Sequence, residues 1–246
     1  MSRGPLLLGD VGHSLFRLSR ARATSRAVGF DVKEVLFPGF EGRPCAVDRH
    51  DFFHRVEQQL DVYRLSHKRA LVVATGFGAL VLLGLRARGV VPDLPSIILG
   101  AIPWASAEAR TPGTRASGEA ERARFADPGF RAEFVRAHLH SPYDEQELRA
   151  FFAGYATCDA WGQLHEWFDR DWTEEIQSQL AVRPKAIEGI TVWALGADEL
   201  LDQQEHDRAI RALGASWPTE RAEGWGHFPY LDAPGPWIGA LESAGV

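Results

Sequence analysis

The chain has 246 residues, of which 45% are hydrophobic and 24% are charged, a balance typical of a folded domain with a sizeable apolar core. This length corresponds to one large α/β domain, or to one domain that carries an insertion. The formal net charge is −6 and basic residues are interleaved with acidic ones, which argues against a nucleic-acid-binding protein.

Short continuous apolar runs predict five β-strands, in chain order Pro5–Leu8, Val32–Phe37, Ala70–Ala74, Pro95–Leu99 and Ile190–Leu195. The α/β alternation that resumes at Ile190 predicts a last strand near 216–222. Segments with helical spacing lie between them, at roughly 49–63, 79–89 and 202–213, and a terminal helix is predicted after Pro234. Strands without polar alternation, separated by helices, predict a parallel sheet that helices cover on both faces.

The alternation of strands and helices stops between about Ser106 and Arg183. This stretch is helical in pattern, rich in charged and aromatic residues, and has no clear strand signal. We therefore predict an α/β core formed by residues 1–105 and 184–246, with a helical insertion at 106–183.

Ligands in open α/β sheets bind at the carboxyl ends of the strands, so the turns that follow the strands are the candidate site. These turns are 9–12, 74–79, 196–199 and 224–229. In the order and spacing of these turns the chain resembles the α/β-hydrolase family from end to end. PGFEGRP at 38–44 looks like a Gly-rich turn of that family, and GHFPYLDAP at 226–234 looks like its histidine loop.

The resemblance implies an α/β-hydrolase fold, with a mostly parallel sheet flanked by helices and a helical cap at 106–183. The family places its nucleophile in a G-x-S-x-G elbow between a strand and a helix. Aligned with that elbow, ATGFGALVLLGLRARG puts Gly76 at the nucleophile position, which is therefore vacant. A register with Phe77 there would displace the small residues that allow close packing. Thr75 is the nearest hydroxyl, and we expect its side chain to point elsewhere.

The resemblance also implies a general base and its orienting acid. His227 matches the family's histidine, and the carboxylate three residues after Gly196 is Glu199, with Asp198 as the adjacent alternative. Such a pair without a serine suggests a proton-transfer dyad. The competing interpretation is that both residues are relics kept by packing or helix capping.

An oxyanion hole made of two backbone amides is a further implication of the resemblance. The two donors map to Val11 and Phe77, and main-chain donors survive changes of side chain. Asp10 beside this hole is unusual, because a carboxylate opposes an anion unless it turns outward. His13 is an additional polar group of the candidate pocket, with a surface loop as its alternative.

Aromatic residues of the predicted cap recur at spacings of three and four, which places Trp161, His165, Phe168 and Trp172 on one helical face. Most such stripes pack a cap onto a core, but this one also covers the predicted cleft. We expect it to contribute to an apolar pocket, together with Trp104 and Trp225.

Neither a cofactor nor a metal is predicted. No Gly-rich phosphate loop or metal-ligand spacing is present in the sequence, and Cys45 and Cys158 are too isolated for a disulfide framework. The expected partner is a small-molecule or peptide-like substrate, and an uncovered sheet edge suggests a homo-oligomer. With no apolar run long enough for a signal peptide or a membrane span, we expect a cytoplasmic protein without nucleic-acid or membrane partners.

Three functions fit these observations. The first is a cofactor-independent lyase, isomerase or epimerase that moves a proton beside a substrate carbonyl, as divergent family members in specialised metabolism do. The second is hydrolysis of an ester, thioester or amide by a water that His227 activates. The third is a non-catalytic relative that binds a small molecule or a protein in the remaining pocket.

Overall fold

The computed structural model describes residues 4–9, 19–66, 71–91, 94–100, 123–139, 145–156, 163, 167–168, 170–195, 207, 211, 217, 219–222, 226, 238–239 and 241–242. The strands among these residues are Leu6–Leu8 (β1), Lys33–Val35 (β2), Val72–Thr75 (β3), Ser96–Leu99 (β4), Ile190–Leu195 (β5) and Thr219–Ala222 (β6). They form one parallel sheet in the order β2-β1-β3-β4-β5-β6. The prediction of a parallel sheet from the apolar runs is confirmed.

The centre of the sheet is fully buried. Every residue of β1, β3 and β4 is buried, because helices cover both faces and leave no solvent side for polar alternation. At one edge, β2 is only three residues long, with Lys33 exposed and Val35 buried. A short edge strand with a charged residue is a poor template for pairing with another chain.

The helices are Ser19–Ala27 (α1), Arg49–Ser66 (α2), Phe77–Ala87 (α3), Pro128–His138 (α4), Glu145–Ala156 (α5) and Arg170–Ala181 (α6), with a 3₁₀ helix at Pro184–Ile187. The sequence did not predict α1. Its residues SRARATSRA contain no large apolar side chain, and of those whose exposure is described only Ser25 is buried. The helix therefore lacks the apolar stripe on which the prediction of the others depends.

Two aspartates define the start of α2. The Asp48 side chain accepts a hydrogen bond from the Asp51 N–H at 2.8 Å, and the Asp51 carboxylate accepts one from the Val47 N–H at 3.0 Å. Hydrogen bonds from the Arg55 side chain and from the Val47 N–H lower the pKa of Asp51. This reciprocal cap begins the helix directly before the Phe52 ring that reaches the candidate site.

The end of α3 follows the sequence prediction. Gly89 takes a φ of 78°, its N–H donates to the Arg86 carbonyl at 2.9 Å, and the Val90 N–H donates to the Leu85 carbonyl at 3.0 Å. A glycine in the left-handed conformation lets the chain reverse and satisfies carbonyls that the helix leaves unpaired.

The described helices of the stretch 106–183 pack in two different ways. Around α4 and α5, five phenylalanines form one set of ring contacts, namely Phe125, Phe130, Phe134, Phe151 and Phe152. By contrast, α6 packs against α3 of the core, where Trp172 lies close to Gly84. The boundaries of the cap at 106 and 183 stay a prediction. No helix in the described parts of the chain is long and apolar enough to span a membrane.

Tyr63 joins α2 to the start of β1. Its hydroxyl donates to the Gly4 carbonyl, and burial raises the pKa of Tyr63 to about 12 from its ordinary value near 10. The folded state therefore holds this proton more tightly than the unfolded state. Its contribution to stability is complete below pH ~10 and is lost as the pH rises through ~12.

We expect wild type to lose roughly 2–3 kcal/mol of unfolding free energy from this group between pH 10 and 12, a loss that Tyr63→Phe removes. Urea unfolding at a series of alkaline pH values measures the difference. At pH 7 the substitution is expected to cost only about 1 kcal/mol for the lost hydrogen bond. Parallel pH profiles for the two proteins would contradict the assignment.

Candidate active site at the turn between β3 and α3

A sharp turn at Gly76 connects the buried strand β3 to α3. Gly76 has φ 47° and ψ −121° and is the N-cap of α3, and its carbonyl accepts the Ala79 N–H at 3.0 Å. This positive φ is a conformation that residues with a Cβ seldom adopt. Glycine takes it without that penalty, so the turn needs no compensating contact at this residue.

Gly78 brings the start of α3 against the carboxyl end of β1. A Cβ built on Gly78 would lie 2.0 Å from the Leu8 carbonyl oxygen and 2.6 Å from the Gly9 carbonyl oxygen. Both are backbone atoms, which cannot rotate away as a flexible side chain would. Only glycine allows this approach, which sets the start of α3 beside the end of the interior strand β1.

Thr75 is the last residue of β3 and directly precedes the turn. Thr75 is 3% exposed, and its buried Oγ1 has no hydrogen-bond partner among the residues that the structure describes. Buried hydroxyls are nearly always hydrogen-bonded to protein or to ordered water. This hydroxyl can therefore accept or donate one bond to a water or to a ligand atom beside Gly76.

The ring of Phe77 lies in an aromatic cluster beside the turn. It makes edge-to-face contacts with Phe37, Phe52 and Phe168, with ring centroids 5.6, 6.1 and 4.8 Å away, respectively. Phe77 is only 6% exposed. Such contacts hold the ring in one position, so the first turn of α3 is rigid next to Gly76.

Two members of the predicted aromatic stripe are among the described residues, and both are buried. Phe168 contacts Phe77, and Trp172 stacks on Phe53 with centroids 6.0 Å apart. The Arg49 guanidinium donates to the Trp167 carbonyl at 3.0 Å, which joins α2 to the residue before Phe168. In this structure both rings pack the core, and a role in lining a pocket stays a prediction.

The other predicted site residues lie outside the described part of the chain: Asp10, Val11, His13, Trp104, Trp161, His165, Asp198, Glu199, Trp225 and His227. Gly226, which precedes His227, is described and buried. Within the described residues, no three His, Cys, Asp or Glu side chains come together as a metal site.

Sequence reasoning did not include Phe37 and Phe52 in the site. Phe37 directly precedes the Pro38-Gly39 turn, and Phe52 begins the apolar series of α2. The sequence identifies both only as core residues, because an apolar pattern does not indicate which end of the sheet an aromatic ring will face. Their contact with Phe77 is a tertiary feature.

No protein-family model and no curated protein sequence matches the chain. Solved structures do. A bromoperoxidase from Bacillus anthracis superposes with a TM-score of 0.70 at 13% identity, over 99% of this chain and 92% of that chain. An extracellular α/β-hydrolase from a Paenibacillus species superposes with a TM-score of 0.64 at 15% identity, over 98% of both chains. A haloalkane dehalogenase variant (DbeA-M1) from Bradyrhizobium elkanii superposes with a TM-score of 0.60 at 14% identity, over 99% of this chain and 91% of that chain.

The chain therefore has the α/β-hydrolase fold, with a parallel sheet flanked by helices. The predicted fold class is confirmed, and so is the resemblance at the level of the fold. The names of these neighbours cover different reactions on one fold. The reaction of this chain must consequently be argued from its own residues.

Proposed function

We propose that this chain is a cofactor-independent α/β-hydrolase-fold enzyme in which Gly76 stands at the nucleophile position. Its chemistry is a non-covalent proton transfer of the lyase, isomerase or epimerase type. The substrate is a small-molecule or peptide-like compound with a carbonyl group. An acyl-enzyme is excluded in this proposal because it needs a side-chain nucleophile beside a base.

The backbone of Gly76 is the observation that carries this proposal. It has a positive φ of 47° at the end of a fully buried strand, directly before α3. An L-residue in such a conformation costs roughly 1–3 kcal/mol, a strain typical of active sites. Glycine keeps the sharp turn without strain and without a hydroxyl. In this proposal the chain retains the elbow and lacks the nucleophile.

In the proposed step, His227 removes a proton from the carbon next to the substrate carbonyl. The electron pair of that C–H bond moves onto the carbonyl oxygen, and the backbone amides of Val11 and Phe77 stabilise the resulting enolate. Return of the proton to another face or to another carbon gives an epimer or an isomer. Departure of a leaving group with its electron pair gives the elimination product of a lyase reaction. Glu199, or Asp198 beside it, orients the imidazole.

A second candidate is hydrolysis by a water held beside Gly76 and activated by His227. The observation that favours it is the Thr75 hydroxyl, which is buried and has no hydrogen-bond partner within the described part of the chain. A buried water needs polar partners of this kind. The water's oxygen would attack the carbonyl carbon while His227 takes its proton, and the leaving group would depart with that proton.

Restoring the nucleophile tests the proposed position of Gly76. We expect wild type to stay unlabelled by a fluorophosphonate probe and Gly76→Ser to become labelled. We expect Gly76→Ser/His227→Ala to react at least ~100-fold more slowly, the usual scale of general-base assistance. Labelling is measured by in-gel fluorescence, with folding checked by circular dichroism. Gly239→Ser, at an exposed helical glycine, is the matched control and should stay unlabelled.

If Gly76→Ser folds but is not labelled by the probe, the assignment of Gly76 to the nucleophile position is wrong. If the double variant is labelled as fast as Gly76→Ser, the assignment of His227 as the base is wrong. Wild-type turnover of short p-nitrophenyl esters that requires His227 would favour the water-using hydrolase instead. Biological activity that is indifferent to His227→Ala would favour a non-catalytic binding protein.

A further inference from the structure

A groove separates the helices α4 and α5 on the surface of the chain. Its volume is about 430 Å³, within the range of small-molecule binding sites. Side chains of both helices line it, and none of them belongs to the turn at Gly76 or to the aromatic cluster around Phe77. The groove is therefore a feature separate from the candidate active site.

The floor of the groove is apolar and its rim is cationic. Val135, Leu148 and Phe152 supply the floor, and three arginines surround it at positions 131, 136 and 149. Among the described residues of the lining, the one carboxylate is that of Glu145, which lies 3.3 Å from Arg149. Since the chain as a whole has a formal charge of −6, this local cationic excess is not a consequence of a basic composition.

Two of the three guanidinium groups are held in place by contacts through Nε. Arg131 donates from Nε to the Phe125 carbonyl and lies over the ring of Phe152, 5.3 Å from its centroid. Arg136 donates from Nε to the Ala132 carbonyl at 3.2 Å. Both bonds use Nε, so the terminal nitrogens can donate to an anion in the groove, and the planar guanidinium matches a carboxylate in shape.

We propose that this groove binds one anionic amphiphile, a single-chain carboxylate whose chain lies on the apolar floor and whose head group contacts the arginines. A membrane surface fits less well. The exposed large hydrophobic residues of the described chain are Val28, Val47, Val62 and Val182, and none of these lies on α4 or α5. The concave, single-molecule volume and the cationic rim instead match one molecule with one charge.

Calorimetric titration of the full chain with decanoate below its micellar concentration tests the proposal. We expect one decanoate per chain, bound about tenfold more tightly than decan-1-ol, the scale of one or two charge-assisted hydrogen bonds at a surface site. Arg136→Gln/Arg149→Gln should weaken decanoate binding about tenfold. Both arginines are exposed, so the double variant should fold, and Leu148→Asp is a second variant that acts on the floor.

Arg124→Gln is the matched control. Arg124 is an exposed arginine near α4 that stacks on Phe130 and does not line the groove, so its loss should leave decanoate affinity unchanged. Equal affinity of wild type and the double variant would overturn the proposal. So would equal affinity for decanoate and decan-1-ol, no decanoate binding, or binding only to phosphatidylglycerol vesicles. Gly76→Ser should not alter decanoate affinity, which separates this result from the elbow experiment.

Discussion

Gly78→Ala is expected to lower the free energy of unfolding by more than ~3 kcal/mol, above the usual cost of overpacking a core. The added methyl carbon would lie 2.0 Å from the Leu8 carbonyl oxygen and 2.5 Å from the Leu8 carbonyl carbon. Relief requires that α3 or β1 move as a backbone unit, which disturbs the sheet and the turn at Gly76 together. The midpoint of urea unfolding, followed by circular dichroism, measures the effect.

Gly239→Ala is the control for the Gly78 substitution. Gly239 lies in a helical segment and is exposed, and an added Cβ would have no described atom within 4 Å apart from its own helix and chain neighbours. Alanine at such a position is expected to stabilise the chain by about 0.5–1 kcal/mol through the lower entropy of the unfolded state. A Gly78→Ala protein as stable as Gly239→Ala would mean that α3 does not approach β1 as described.

Arg86→Met is expected to cost about 3–5 kcal/mol, the range found when one partner of a buried charged network is removed. The Arg86 side chain is 0% exposed. Its guanidinium donates to the carbonyls of Ala186, Glu188 and Leu94 and to the Ser96 hydroxyl. Methionine fills much of the volume but leaves the Ala186 and Glu188 carbonyls without this donor, which is the costly half of a hydrogen bond. The Ser96 hydroxyl still donates to the Leu94 carbonyl at 3.0 Å. Urea unfolding again provides the measurement.

Arg88→Met provides the comparison for Arg86, because Arg88 lies two residues further along at the end of α3. Its contacts are an ion pair with Glu57 at 3.1 Å and a position over the Phe53 ring, and its side chain is 34% exposed. Its loss should cost at most about 1 kcal/mol. Arg86→Lys should recover only part of the loss, since an ammonium lacks the planar fork of donors. Equal effects of Arg86→Met and Arg88→Met would show that Arg86 does not join these segments.

If Arg86 acts in this way, it stabilises the sheet at the opposite end from the turn at Gly76. Its acceptors lie before β4, at the first residue of β4, and in the 3₁₀ helix and adjoining turn before β5. The carboxyl ends of the same strands lie at the side where the turns are predicted to form a site. A stable amino-terminal side allows those turns to vary in residue type without loss of the sheet.

Much of the fold could be predicted from the sequence because the strands are buried on both faces. Continuous apolar runs such as Ile190–Leu195 need no knowledge of neighbours to be recognised, and the observed strand has the same bounds. The turn at Gly76 could be predicted for a similar reason. Its position depends on a local pattern of small residues between a strand and a helix, and the observed φ of 47° is a conformation suited to glycine.

The role of individual side chains could not be predicted in the same way. From the sequence, Arg86 is a basic residue that stabilises the carboxyl end of a helix. In the structure it is buried and donates to segments about 8 to 102 positions away. Phe168 and Trp172 have the spacing of a pocket stripe, yet in the structure they pack against Phe77 and Phe53. Spacing along one helix defines a face and does not tell what that face meets.

The sequence by itself determined where the apolar strands lie along the chain, where the small residues of the turn at Gly76 lie, and which family these features resemble. Those features are local, since burial on both faces and a positive φ each leave a signature within a few residues. Only the tertiary structure decided that Gly78 touches the end of β1, that Arg86 joins three separate segments, and that α4 and α5 enclose a cationic groove. These depend on contacts between residues distant in the chain, which no periodicity encodes.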